Sequence, residues 1–268
     1  MRYVTYDSGR GPSAGVLEEG RIRQLGENLR KLIAEDRLGD SPNGDSVALS
    51  DARLLPPITD PSKLICIGLN YLSHAREQNV EPPEYPTVFA KFQNALRPDG
   101  AEVPLPPYSS KVDYEAEVAF VLGKRAKDVP EADALDYIAG YTLLNDLSAR
   151  DYQFMTPQWM PGKIFDGAAP CGPALVTPDE AGPPDQIEIK LELNGEQMQA
   201  ASTSDLIHSI PFLVAHLSKL LTLEPGDIVS TGTPAGVGSL RDPKVWLKPG
   251  DEIVISSPQL GELRTSIA

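Results

Sequence analysis

Apolar and polar positions alternate in short blocks along this chain, and proline and glycine punctuate them. The pattern predicts a strand over residues 1–6 and a hairpin over 14–22, turning at Glu18-Glu19-Gly20. Leu25, Leu29, Leu32 and Ile33 recur at helical spacing, which predicts a helix over 25–35. The polar stretch 39–46 reads as a loop, and the proline-rich run 56–61 marks a boundary. The rhythm then changes. A short buried strand over 64–67 is followed by a helix over 73–79 and a strand over 112–122. A helix over 132–138 and a strand over 139–145 come next. Asn194-Gly195 between 187–193 and 197–200 is the strongest hairpin signal in the chain. Helical spacing runs over 206–221, with Pro211 in its first turn or at a kink. Late strands at 228–231 and 252–255 each follow a Gly-Asp turn. Many short strands with a few separate helices predict an α+β fold.

The chain has 268 residues, enough for one large domain or a domain with a small appendage. With 26 prolines it cannot be a long helical bundle. The balance of 24 basic against 38 acidic residues gives a net charge of −14, which argues against nucleic acid as a partner. No apolar run is long enough to cross a bilayer, and the N-terminus has no apolar leader segment. Two cysteines, Cys66 and Cys171, stand in apolar or Gly/Pro-rich surroundings, without the spacing of a zinc site. They read as small buried hydrophobes in a reducing compartment, and the expected location is the cytoplasm.

The chemistry begins in the 112–122 strand. Alternation places Val112, Tyr114, Ala116, Val118 and Phe120 on one face and Asp113, Glu115 and Glu117 on the other. That second face turns apolar at Ala119 and Val121, so the strand reads as buried on both sides. Buried carboxylates at i, i+2 need a compensating charge, either basic side chains or a cation. Oxygen-only ligation suits a hard divalent ion such as Mg²⁺ or Mn²⁺. A solvated edge strand is the alternative. Asp146, at the end of the apolar strand 139–145, supplies a third ligand candidate, although it also fits a helix N-cap.

His74 precedes Glu77 by three residues, which shares a helical face and permits a general base with its orienting acid. An ordinary surface His–Glu pair has the same spacing. His208 and His216 fall in the 206–221 helical stretch and read as surface or packing histidines. Arg150 and Gln153, one helical turn apart, and Lys163 can donate to a carboxylate or a developing oxyanion. Arg150 equally fits a structural partner for the strand carboxylates. The glycine-rich loop 231–238 lacks the spacing of a Walker motif, but with two hydroxyls it could still bind a small carboxylate.

Gly68-Leu-Asn-Tyr-Leu-Ser-His-Ala-Arg-Glu, Asp113-Tyr-Glu-Ala-Glu, the 140–153 run ending Asn-Asp-Leu-Ser-Ala-Arg-Asp-Tyr-Gln, Gly162-Lys-Ile-Phe-Asp, Asn194-Gly-Glu and Thr231-Gly-Thr-Pro-Ala-Gly-Val-Gly occur in that order. From about Leu64 to the C-terminus the chain resembles the fumarylacetoacetate hydrolase family. The resemblance implies a mixed β-sandwich roll with peripheral helices over 59–268, preceded by a small α/β unit over 1–58, in a homodimer. It implies Mg²⁺ or Mn²⁺ on Glu115, Glu117 and Asp146, and a His74–Glu77 dyad on a lid that orders with substrate. Lys163, Arg150 and Gln153 match residues around the substrate oxygens, and Thr233 matches a threonine near the substrate carboxylate. The run from Phe89 departs from the family's usual Lys-Pro step, which puts substrate choice in question. The implied activity is metal-dependent hydrolysis of a C–C bond in a 2,4-dioxo acid from aromatic or sugar-acid breakdown. His74 would activate water, and a metal-stabilised pyruvate enolate would leave. A decarboxylase of the oxaloacetate type or an enol–keto isomerase uses the same site, and a non-catalytic metal-binding protein is the reading from another class.

Overall fold

The computed structural model describes residues 1–268. Its largest sheet is mixed and has 12 strands. Its centre is the antiparallel pair Ala116–Leu122 and Ile138–Asn145, each buried along its whole length. Ile228–Ser230 joins Ala116–Leu122 antiparallel and then pairs in parallel with Leu64–Gly68. Thr87–Lys91 closes that edge. On the other side Ile138–Asn145 pairs with Ala169–Val176, which pairs in turn with Arg2–Asp7. A second sheet of 5 strands includes the hairpin Glu188–Leu193 and Glu196–Ser202 and the pair Glu252–Ser257 and Gly261–Ile267. One continuous core joins Phe120 and Leu143 of the large sheet to Ile255 and Leu263 of the small one. Layered mixed sheets with short peripheral helices make this an α+β fold. No helix is long and apolar enough to cross a membrane.

The first 55 residues extend the large sheet. Arg2–Asp7 pairs with Pro12–Glu18, and Tyr3, Val16, Leu29 and Ile33 lie in the same core as the central strands. The proline-rich run 56–61 lies between Leu54–Leu55 and Leu64–Gly68.

Local chemistry moves several boundaries. The first helix spans Leu29–Ala34, not 25–35. Gly26 takes a left-handed φ of 76° and Leu25 donates its N–H to the Ala14 carbonyl, so Leu25 belongs to the sheet margin. Asn28 then caps the helix, its side chain accepting from Lys31 N. The predicted helix over 132–138 is a 3₁₀ stretch, Glu131–Tyr137. The longest helix is Ile210–Leu220, capped by Ser209 with Pro211 in its first turn, where a missing N–H costs nothing. His208 therefore precedes this helix and is buried, while His216 lies on it. At Asn194-Gly195 both residues have positive φ, 52° and 82°, as a two-residue hairpin of this twist demands. Both cysteines are free and buried.

Candidate active site

The predicted continuous strand over 112–122 is broken in two. Val112–Asp113 pairs with Ser148–Ala149 in a separate ribbon, and the main strand begins at Ala116. Asp113 causes the break. Its carboxylate accepts from the backbone N–H groups of Tyr114, Gly238 and Ser239 and from Arg150 Nε, so it turns away from its neighbours. Glu115 lies in the gap, its N–H donating to Asn145 Oδ1 and its carbonyl accepting from Asp146 N. These bonds bring the start of one strand beside the end of its neighbour. Ligand oxygens of Glu115, Glu117 and Asp146 lie within 4.8 Å of one another, all buried. Asp146 caps no helix, since the helix Arg150–Gln153 has Ala149 at its N-cap.

Three cations surround the trio. Lys163 Nζ lies 2.7 Å from both Glu115 Oε2 and Asp146 Oδ2. Arg150 Nη2 lies 2.7 Å from Glu115 Oε1 and 2.8 Å from Asp113 Oδ2. Lys91, from the edge strand, is fully buried with Nζ 2.7 Å from Asp146 Oδ1. Burial alone would raise the Glu115 carboxyl, but Arg150 and Lys163 outweigh it and hold it well below the usual carboxylate range. Burial also works against the charge on Lys163, yet Asp146 and Glu115 keep its pKa above the ordinary lysine value. Without a bound metal, Lys163 is thus held as a cation by the two carboxylates. Glu117 goes the other way. Burial and the charges of Asp146 and Glu115 push its carboxyl well up, although Ser230 and Gly232 N both donate to it.

These residues fit a divalent cation. Four carboxylates, Asp113 included, face three cations, so without an ion the cluster favours a proton on Glu117, and a divalent ion would take that proton's place. The ammonium of Lys91 donates to the carbonyls of Leu147, Lys163 and Ala168, which uses all of its hydrogens. Asp146 Oδ1 therefore accepts no hydrogen bond despite complete burial. Asp146 Oδ1, held only by the Lys91 ion pair at 2.7 Å and lying beside two other carboxylates, with only oxygen ligands present, suits a hard divalent ion.

His74 is buried at the edge of this cluster, on the helix Leu72–Glu77. Its Nδ1 lies 2.8 Å from Glu77 Oε2, and Gln78 Nε2 lies 2.8 Å from its Nε2. An amide nitrogen can only donate, so Nε2 carries the lone pair and Nδ1–H donates to Glu77. That is the tautomer a general base needs. The other Glu77 oxygen accepts from Gly236 N at 2.8 Å. The glycine-rich loop thus spends amides on the protein's own carboxylates, Glu117, Glu77 and Asp113. Thr233 donates to the Ala116 carbonyl and accepts from Gln199 Nε2, so its hydroxyl is engaged within the protein. Arg150 Nη1 donates to Gln153 Oε1 at 2.9 Å, which fixes the amide and leaves its nitrogen without a protein partner. The polar groups of Thr233 and Arg150 are both engaged within the protein.

A chamber of about 100 Å³ gathers His74, Glu115, Glu117, Asp146, Lys163 and Gln153. Sequence reasoning missed three of its supports. Lys91 and Phe89 share the inward face of the edge strand, and Lys163 Nζ sits 5.0 Å over the Phe89 ring. Trp159 packs edge-on to Phe89 and closes over Gly68, where a Cβ would collide with its ring. The available signal was a lysine two residues after a phenylalanine in an apolar strand, at the place where the run departs from the family pattern.

Residues 63–268 match the model of the fumarylacetoacetate hydrolase C-terminal family, and residues 1–57 match the Rv2993c-like N-terminal family. A Xenopus laevis protein named as a mitochondrial oxaloacetate tautomerase is 37% identical over 287 residues, covering 100% of this chain and 90% of its own. The crystal structure of 2-hydroxyhepta-2,4-diene-1,7-dioate isomerase from Mycobacterium marinum is 34% identical with a TM-score of 0.85, covering 100% of this chain and 98% of its own. Fumarylacetoacetate hydrolase from Exiguobacterium antarcticum is 30% identical with a TM-score of 0.87, covering 100% and 99%. These names divide between proton-shifting and hydrolytic enzymes, so they do not confirm the expected hydrolysis. A mitochondrial relative lends no support to the expected cytoplasmic location.

Proposed function

This chain belongs to the fumarylacetoacetate hydrolase family, and from that premise we propose that it is a divalent-metal-dependent enzyme interconverting the enol and keto forms of a 2-oxo acid. The observation that carries this reading is the oriented base beside the carboxylate trio: His74, which lines the chamber, with Gln78 Nε2 at its Nε2 and its Nδ1–H held by Glu77. A tautomerase needs one group that takes a proton from C3 and delivers it to the C2 oxygen, or the reverse, with no attacking water. The relatives named as tautomerase and isomerase support the same choice. Mg²⁺ or Mn²⁺ on Glu115, Glu117 and Asp146 would act as a Lewis acid on the oxygens of the 2-oxo acid.

The chain's own residues do the rest. His74 Nε2 takes the proton from C3 of the keto form once Gln78 yields its place. Glu77 stabilises the resulting imidazolium through Nδ1–H and prevents the ring from turning. Lys163 and the unpartnered amide nitrogen of Gln153 supply hydrogen bonds to the negative oxygens of the enolate. Arg150 holds Glu115, Asp113 and Gln153 in position. Trp159 and Phe89 exclude water from one side. We propose that the enzyme acts as a homodimer.

Hydrolysis of a C–C bond in a 2,4-dioxo acid is the second reading, favoured by the same dyad, which can also deprotonate water. The test follows the ultraviolet decay of enol-oxaloacetate with Mg²⁺ or Mn²⁺, and in parallel pyruvate release from acylpyruvates. Faster tautomerisation with metal, and a loss of about 100-fold or more in His74→Ala, is the expected outcome. Pyruvate release without acceleration of tautomerisation would transfer the assignment to hydrolysis.

A further inference from the structure

His74 presents one lone pair, at Nε2, and the group that holds it is the side-chain amide of Gln78, 2.8 Å away. A water about to give its proton to the ring would have to stand at the same place and the same distance. The contact is built into the end of the helix Leu72–Glu77. Gln78 is its C-cap, four residues beyond His74, so the two side chains share a face. The N–H of Gln78 donates to the His74 carbonyl at 3.0 Å. Asn79 follows with a left-handed φ of 54°, its N–H donating to the Arg76 carbonyl, and Val80 N donates to the Ala75 carbonyl. That pair of bonds closes the helix in a Schellman turn. The backbone of Gln78 is therefore fixed, and its side chain reaches the base without help from a distant segment.

Gln78 and His74 both line the inner chamber and a cavity of about 380 Å³ that adjoins it. The carboxamide thus stands where solvent from the outer cavity would meet the base. Other polar groups shared by or flanking this passage are committed elsewhere. Arg150 is neutralised by Asp113 and Glu115, and Asp151 accepts from the Ser109 hydroxyl at 2.6 Å.

The two reactions open to the site make different demands on this place. In tautomerisation the C3–H of the bound substrate displaces the amide from Nε2, one partner for another. Hydrolysis needs the ring, a water and the C4 carbonyl carbon in line, so the water must keep its place on Nε2 while substrate is bound. The side chain of Gln78 takes up that room.

We propose that Gln78 determines which reaction the base performs: its side chain fills the place of an attacking water at His74 Nε2 and confines His74 to the C–H bonds of the substrate. This rests on the tautomerase reading above. Truncating the side chain then opens the site to hydrolysis. In Gln78→Ala, His74 takes a proton from water, and the hydroxide oxygen bonds to C4 of a 2,4-dioxo acid. The C3–C4 bond breaks with its electron pair passing to C3 as the enolate, and the proton returns from His74 to C3. Pyruvate and a carboxylic acid are released.

The test supplies acetylpyruvate and Mg²⁺ to wild type, Gln78→Ala and Gln78→Ala/His74→Ala, and follows enol-oxaloacetate decay in parallel. Gln78→Ala is expected to release pyruvate about tenfold or more faster than wild type, and the double variant to lose that gain. Gln78 is exposed, so folding is not at stake. A second readout needs neither metal nor substrate. Diethyl pyrocarbonate carbethoxylates an imidazole lone pair, and mass spectrometry maps the product. His74 is expected to react severalfold faster in metal-free Gln78→Ala than in metal-free wild type. Equal reaction rates at His74, a single variant that gains no hydrolysis, or a gain that survives in the double variant overturns the proposal. A gain that depends on His74, in a protein whose wild type does not accelerate tautomerisation, upholds the role of Gln78 and counts against the tautomerase reading alone.

Discussion

At the scale of single residues, the site is a balance among buried charges, and Lys91 shows how it is held. Its ammonium ties together the carbonyls of Leu147, Lys163 and Ala168 and stands beside Asp146. Lys91→Met removes a partner from a buried ionic network, which costs about 3–5 kcal/mol. Urea unfolding of the metal-free protein measures that loss. Glu115, Glu117 and Asp146 were legible in the sequence because the acidic face turns apolar at Ala119 and Val121, which marks burial, and a third acid ending another apolar strand outweighs the solvated-edge alternative. Lys91 was not, since a lysine near the end of an apolar segment reads equally well as a side chain reaching for solvent. Asp113 was misplaced for a related reason. Alternation assigns faces only while the strand continues, and Asp113 breaks the strand by binding local N–H groups.

At the scale of elements, the loop 231–238 holds the helix Leu72–Glu77 to the sheet. Gly236 has a φ of 106°, and a Cβ there would collide with the Met198 carbonyl oxygen. Its N–H is the one that fixes Glu77. Gly236→Ala is expected to cost about 1–3 kcal/mol of stability by backbone strain. It should also lower kcat, because Glu77 loses its anchor, and leave Mn²⁺ affinity unchanged. Thermal unfolding, steady-state kinetics and Mn²⁺ titration separate these effects. The hairpin at Asn194-Gly195 and the first turn of Ile210–Leu220 were readable because turn and cap chemistry is local. The strand Ala169–Val176 was not. Pro170, Gly172 and Pro173 signal a loop, yet this strand lies mid-sheet, and its irregular register against Ile138–Asn145 accommodates them.

For the whole molecule, composition indicated an acidic, strand-rich α+β chain, and the sheets bear that out. How the N-terminal strands attach was not readable, because Arg2–Asp7 pairs with Ala169–Val176 across more than 160 residues of sequence. Global stability should depend on pH from two sides. Glu115 has a depressed folded pKa, so its contribution is present above the ordinary carboxyl value and fades as pH falls towards the folded one. Glu117 has a raised folded pKa, so the folded state holds its proton more tightly than the unfolded chain does. Its contribution is complete below the ordinary carboxyl value and is lost as pH rises through the folded one. Metal-free protein should therefore lose stability as pH climbs from mildly acidic values, and Glu117→Gln should flatten that decline. Unfolding midpoints measured across pH for both proteins test it.

The most direct measurement is Mn²⁺ titration of chelator-treated wild type and Glu117→Gln, by calorimetry and electron paramagnetic resonance. A glutamine resembles the protonated carboxyl that burial favours at 117, so the variant should fold as wild type does. Wild type should bind Mn²⁺ stoichiometrically and release a proton, and the variant should lose most of that affinity. Wild type that binds no ion, or a variant that binds as tightly as wild type, contradicts a metal centre on Glu115, Glu117 and Asp146.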